Sequence, residues 1–195
     1  MDVEHTMKKL DTAPCYIPVK LECFSEVQDI LYNKYKDQFD TAPFTAGLAT
    51  FLVPWTPDNF PVLFDEIDLL GNHIIRARFF IMRPGAVLLP HVDDASKDSQ
   101  YALNIPIRSA PTDQPMKWFW YNGKYTTQDE YDDATIDQYG QQGTVADESL
   151  LIPRRSLQLT TPHYVNIGIF HSVSNFATTD RIILSLRFTN FALPV

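Results

Sequence analysis

A chain of 195 residues with 45% apolar and 21% charged side chains has the size and balance of a single globular domain that closes its core without disulfides. Twenty-four Asp and Glu against sixteen Lys and Arg leave a net charge of -8. No basic run interrupts it, so nucleic acid and anionic membrane are expected to be repelled.

No stretch approaches the roughly 20 apolar residues of a membrane-spanning helix, and the opening MDVEHTMKKL is unlike a signal peptide. Cys15 and Cys23 have no CxxC spacing and no histidine cluster beside them. Two free thiols in a reducing compartment are the simplest reading, so a soluble, cytoplasmic protein is expected.

Ser25 followed by Gln28 makes a capping-box pattern, and Val27, Ile30, Leu31, Tyr35 and Phe39 then recur at helical spacing. Thr56 as a cap, Pro57 in the first turn and Gly71 as a stop predict a second helix over 57–70. Its apolar stripe is Phe60, Leu63, Phe64, Ile67 and Leu70. From Ile74 the texture changes to β formers punctuated by turns, predicting strands at 74–82, 86–93, 101–107, 117–121, 156–160, 164–170 and 181–188. Helices followed by short strands predict a mainly β, antiparallel sandwich or barrel with the helices outside. One domain is expected over 1–195, with a helical part at 1–72 and a β core at 73–190.

The segment DEYDDATIDQYGQQGTVAD, 129–147, is acidic and has little periodicity. A solvated surface loop is one reading. A flap beside a site is the other, in which Tyr131 and Tyr139 would meet substrate and the carboxylates would favour a cationic one.

His91 and Asp93 lie two apart in an extended run, so they share a face. A third ligand must come from elsewhere, and His171, at the end of the 164–170 strand, is well placed to supply it. Two His and one carboxylate on one face of an octahedron leave three open positions, the arrangement of non-haem iron(II) oxygenases. A His-x-Asp pair alone occurs by chance in many chains. Its weight here comes from order: strand, His-x-Asp, about eighty residues, His171, then Arg181 opening an apolar strand.

In that order PGAVLLPHVD, YALNIPI, VNIGIFHSVSN and RIILSLRF resemble the core of the iron(II)/2-oxoglutarate dioxygenase superfamily, its prolyl hydroxylase and aspartyl/asparaginyl hydroxylase-like branches above all. The resemblance spans residues 74 to 190 and implies a double-stranded β-helix, or jelly roll. It implies iron(II) on His91, Asp93 and His171, with 2-oxoglutarate as co-substrate and dioxygen as oxidant. It also implies Arg181 as partner of the far carboxylate of 2-oxoglutarate, where a guanidinium fork can pair bidentately. In an extended strand Arg181, Ile183, Ser185 and Arg187 share a face, so Ser185 would add a hydroxyl. Ile183 stands where other branches have Ser. Tyr101 and Asn104 lie on the strand that often lends a further polar contact, and alternation turns at most one of them inward.

Arg76 and Arg78 share a face of the preceding strand, where Arg78 would meet an anionic substrate. Trp118, Trp120 and Tyr121 either floor a substrate groove or serve the core. His73 and His163 have no carboxylate at useful spacing. The implied reaction is hydroxylation of a C–H bond on a protein side chain or a small molecule, releasing succinate and carbon dioxide. The alternatives are a cupin-like metalloprotein without 2-oxoglutarate chemistry and a non-enzymatic binding module on the same barrel.

Overall fold

The computed structural model describes residues 13–68, 73–93, 100–121, 143–145 and 148–189. Strand β1 (Tyr16–Pro18) leads into helix α1 (Phe24–Thr41), strand β2 (Leu48–Val53) and the short helix α2 (Leu63–Asp68). Helical spacing buries Val27, Leu31, Tyr35 and Phe39 on one side of α1. Its start differs from the expected capping box: the cap position is Cys23, with no side-chain cap bond. The carboxylate of Glu66 in α2 instead accepts the backbone N–H groups of Glu22 (2.5 Å) and Cys23 (3.0 Å), putting negative charge where the helix dipole favours it. Gln28 turns inward and donates to the Pro106 carbonyl at 2.9 Å.

Helix α2 is shorter than the expected 57–70. Thr56 does cap a turn, its carbonyl accepting the Phe60 N–H at 3.0 Å. Pro61 then lacks the amide a helix needs, and Val62 adopts φ 68, a left-handed conformation that no helix interior accommodates. The apolar stripe is nevertheless buried through Phe60, Leu63 and Ile67.

The remaining strands are β3 (His73–Met82), β4 (Val87–Asp93), β5 (Tyr101–Arg108), β6 (Pro115–Tyr121), β7 (Gly143–Val145), β8 (Leu151–Gln158), β9 (His163–Asn166), β10 (His171–Ser174) and β11 (Arg181–Thr189). They form two antiparallel sheets, ordered β1-β9-β5-β11-β3-β2 and β7-β4-β10-β6-β8. Several features depart from expectation: β1 lies in the part read as helical, β7 falls in the segment read as a loop, and β8 starts at Leu151 where a strand was expected only from 156. β2 puts a strand inside the part read as helical, pairing Leu48 with Met82 through Val53 with Ala77. The run 164–170 is not one strand: β9 belongs to the larger sheet, β10 to the smaller, and residues 167–170 carry the chain between them. His171 therefore opens a strand where it was expected to close one.

Gly47 makes the turn before β2 possible. It has φ +81, and a Cβ there would lie 3.0 Å from the Ala86 side chain, so both the conformation and the close approach call for glycine.

Alternation along β11 organises the interior. Ile182, Leu184, Leu186 and Phe188 face outward from the larger sheet and join Val27, Leu31 and Phe39 of α1 in one buried cluster. Phe79 lies at the middle of that cluster, its ring centroid 5.1 Å from Tyr35, 5.1 Å from Phe51 and 5.2 Å from Phe39. Losing such a fully buried ring costs about 3–5 kcal/mol. Arg181, Ile183, Ser185 and Arg187 face the other way, into a cavity between the sheets. Among the described residues no helix is long and apolar enough to cross a membrane, and both cysteines are free thiols.

Candidate metal centre and its cavity

His91 and Asp93 stand on β4, and His171 stands opposite His91 on the neighbouring strand β10. The two imidazole rings lie 4.4 Å apart, centroid to centroid. Each ring is turned by its backbone: Nδ1 of His91 bonds the Leu89 carbonyl at 2.7 Å, and Nδ1 of His171 bonds the Ile169 carbonyl at 2.9 Å. A carbonyl only accepts, so both Nδ1 atoms carry a proton and each ring turns its Nε2 toward another partner. Those Nε2 atoms converge on Oδ1 of Asp93, at 3.1 Å from His91 and 4.0 Å from His171.

The donor set fits a divalent metal. Metal–ligand bonds of about 2.1 Å place two neighbouring ligands about 3 Å apart, the separation His91 and Asp93 show. One ligand atom from each of the three residues falls within 4.8 Å of the others. Two nitrogens and one oxygen at such distances are the mixed set of a site with open coordination positions. The other carboxylate oxygen, Oδ2, accepts from the Arg187 guanidinium.

Burial and charge keep these groups in ligand form. Burial alone would raise the Asp93 carboxyl, but the bond from His91 and the charge of Arg187 outweigh it and hold the group well below the usual carboxylate range. His171 is pulled down to about 4, by burial first and then by the neighbouring His91. The backbone is pinned as well, the Asp93 N–H donating to the Ile167 carbonyl at 3.1 Å. Strand β7 pairs alongside, His91 facing Val145 and Asp93 facing Gly143. The end of the acidic segment 129–147 is thus a strand beside the ligand strand. The rest of that segment, with Tyr131 and Tyr139, lies outside the described residues.

Across the cavity stands Arg181, 2% exposed. It donates to the Gln114 carbonyl at 3.2 Å and makes no ion pair among the described residues. Burial pulls its guanidinium down to about 10. A buried cation facing a cavity without a counter-charge is costly unless a ligand brings one. Between Arg181 and the His/Asp cluster the lining is largely apolar, with Met82, Leu88, Ile183 and Val173. Ser185 and Asn104 add polar atoms, and Oδ1 of Asn104 is buried without a hydrogen-bond partner.

Other sequence candidates sit elsewhere. Tyr101 is on the opposite face of β5 from Asn104, in the outer core, and donates its hydroxyl to the Pro14 carbonyl at 2.8 Å. Trp118 is fully buried in the core, its indole N–H donating to the Asn166 carbonyl at 2.8 Å. Trp120 is exposed, under the Arg154 guanidinium. Neither His73 nor His163 joins the cluster. What sequence reasoning missed is the partnership of Arg187 with Asp93. Its place on the Arg181 face of β11 was the available signal.

No family model matches the chain, and no curated protein matches it. Solved structures do. HygX from Streptomyces hygroscopicus with iron bound aligns with a TM-score of 0.57 and 9% identity, over 97% of this chain and 87% of that one. The non-heme alpha ketoglutarate dependent epimerase SnoN from nogalamycin biosynthesis aligns at 0.56 and 12%, over 95% and 84%. A Pseudomonas putida prolyl-4-hydroxylase aligns at 0.54 and 11%, over 96% and 98%. At such identity the likeness shows a shared fold: mainly β, with two antiparallel sheets.

Proposed function

We propose that this chain is an iron(II)- and 2-oxoglutarate-dependent oxygenase that hydroxylates a C–H bond of a protein side chain or a small molecule. One observation carries the reading: a His-Asp-His ligand set and a buried guanidinium with no counter-charge among the described residues face the same cavity. HygX, which shares the fold, has also been solved with nickel and 2-oxoglutarate bound.

His91, Asp93 and His171 would hold the metal through Nε2, Oδ1 and Nε2. Iron(II) bound there supplies the oxidation, in which 2-oxoglutarate and dioxygen become succinate and carbon dioxide while one oxygen atom is transferred to substrate. Arg181 would take the far carboxylate of 2-oxoglutarate in its guanidinium fork, with Ser185 and Asn104 as flanking polar contacts. The apolar lining excludes water and strengthens the charge pairing. Arg187 holds the spare oxygen of Asp93, leaving a single carboxylate oxygen toward the metal.

The test is release of succinate from 2-oxoglutarate that requires iron(II), with a gain of one oxygen in the product detected by mass spectrometry. A cupin-like metalloprotein would bind the metal and leave 2-oxoglutarate untouched. A non-enzymatic module would neither bind the metal nor consume 2-oxoglutarate.

A further inference from the structure

Beyond Arg181 the inner face of the larger sheet carries a second group of cations. In one row across adjacent strands, Asn104 of β5 pairs with Ser185 of β11, and Ser185 with Arg78 of β3. One step further along, Arg187 pairs with Arg76. Alternation puts Arg76 and Arg78 on the same face of β3 as Phe80 and Met82, which line the cavity. Three guanidinium groups therefore share one face of two neighbouring strands, in a molecule whose net charge is -8. Only Arg187 reaches the Asp93 carboxylate.

Arg78 is the informative member. It makes no ion pair or hydrogen bond among the described residues, its Nε is buried without a partner, and it rests 5.9 Å from the Phe80 ring centroid. Burial, then the charges of Arg76 and Arg187, pull its guanidinium down from the ordinary arginine range. Held among like charges and partly desolvated, such a group is stabilised by an anion. The metal's two charges, Arg181 and Arg187 would already outnumber the three negative charges facing them, two on the co-substrate and one on Asp93. The charge of Arg78 is left for something else.

We infer that Arg78 forms a second anion subsite beside Arg187, on the sheet face that lines the cavity, and that the primary substrate carries a carboxylate or phosphate group which docks there. This rests on the oxygenase reading, since that reading assigns the other anion to Arg181. A fork of two N–H donors suits either anion.

The experiment uses the full chain loaded with nickel(II), which prevents turnover, and saturated with 2-oxoglutarate. Inorganic phosphate is titrated calorimetrically into the wild type and into Arg78→Gln and Arg78→Lys, all matched for fold by circular dichroism. Phosphate is expected to bind the wild type and to bind Arg78→Gln about tenfold or more weakly, with Arg78→Lys between. Affinity for 2-oxoglutarate should stay the same in all three. Equal phosphate affinity in the wild type and Arg78→Gln overturns the subsite. Phosphate that competes with 2-oxoglutarate also overturns it, because the cations then serve the co-substrate. If 2-oxoglutarate fails to bind the nickel-loaded wild type, the oxygenase reading falls. The same phosphate titration without 2-oxoglutarate then decides whether Arg78 holds an anion.

Discussion

Arg187 on β11 donates to Oδ2 of Asp93 on β4, so a cation from one sheet holds the outer oxygen of a carboxylate offered by the other. The inner oxygen is thereby aimed at the two imidazoles. Groups that orient a ligand commonly contribute about 10–100-fold to metal affinity, and Arg187→Gln is expected to weaken iron(II) binding by that order. Competition with a chelator measures it. Arg187→Lys should fall between, since a point charge restores attraction without the planar fork. An unchanged affinity in Arg187→Gln would reduce Arg187 to a tie between sheets.

The three proposed ligands should separate by what each leaves behind. His91→Ala and His171→Ala remove an imidazole whose Nδ1 partner is a backbone carbonyl, and should abolish stoichiometric metal binding with modest loss of stability. Asp93→Ala also strands the largely buried Arg187 cation, and should cost about 1–3 kcal/mol more. Chemical denaturation of the metal-free proteins compares the three. Equal stability losses would mean that Arg187 finds water or another partner once Asp93 is gone.

The face of β11 was readable in advance because a period of two needs only regular strand geometry, and Arg181, Ile183, Ser185 and Arg187 do line one cavity. His91 and Asp93 were readable for the same reason. The break at 167–170 was not. YVNIGIF has the composition of one strand, and what divides it is tertiary: Asn166 Oδ1 accepts the Gly168 N–H at 3.0 Å, and the Gln100 carbonyl takes the Ile167 N–H at 2.9 Å. β2 was not legible because LATFLV is an apolar run broken only by Thr50 and without alternation, although Gly47 and Pro54 bracket it. The capping of α1 by Glu66 joins residues more than forty positions apart, and no local pattern announces that.

Arg181 should show function set against stability. In the ligand-free protein its buried charge has one carbonyl as hydrogen-bond partner, so replacing it by an apolar side chain of similar length need not destabilise. Arg181→Met is expected to unfold at the same denaturant concentration as the parent or a higher one, and to bind metal normally. Affinity for 2-oxoglutarate should drop by about tenfold or more, with Arg181→Lys recovering part of it. Unchanged 2-oxoglutarate affinity in Arg181→Met would move the anchor to another cation.

Asn175 should prove consequential for stability and for the seat of Arg181 together. It is fully buried, and its amide donates to the carbonyls of Met82 (2.7 Å) and Thr179 (3.0 Å). Its Oδ1 accepts from Gln114 Nε2 at 3.0 Å and from the Ala177 N–H at 3.2 Å. Gln114 in turn offers its carbonyl to Arg181, so one amide joins the end of β3, the turn before β11 and the seat of the guanidinium. Asn175→Ala leaves several buried groups short of a partner and should cost about 2–4 kcal/mol, read as a shift of the urea midpoint. Asn175→Asp should do no better, because a carboxylate accepts but cannot donate to the Met82 and Thr179 carbonyls. Where the Ala variant still folds, affinity for 2-oxoglutarate should fall while metal affinity holds, since the disturbance reaches Arg181 and not β4. Loss of both affinities in equal measure would show that the whole cavity has loosened, and an unchanged urea midpoint would remove Asn175 from any structural role.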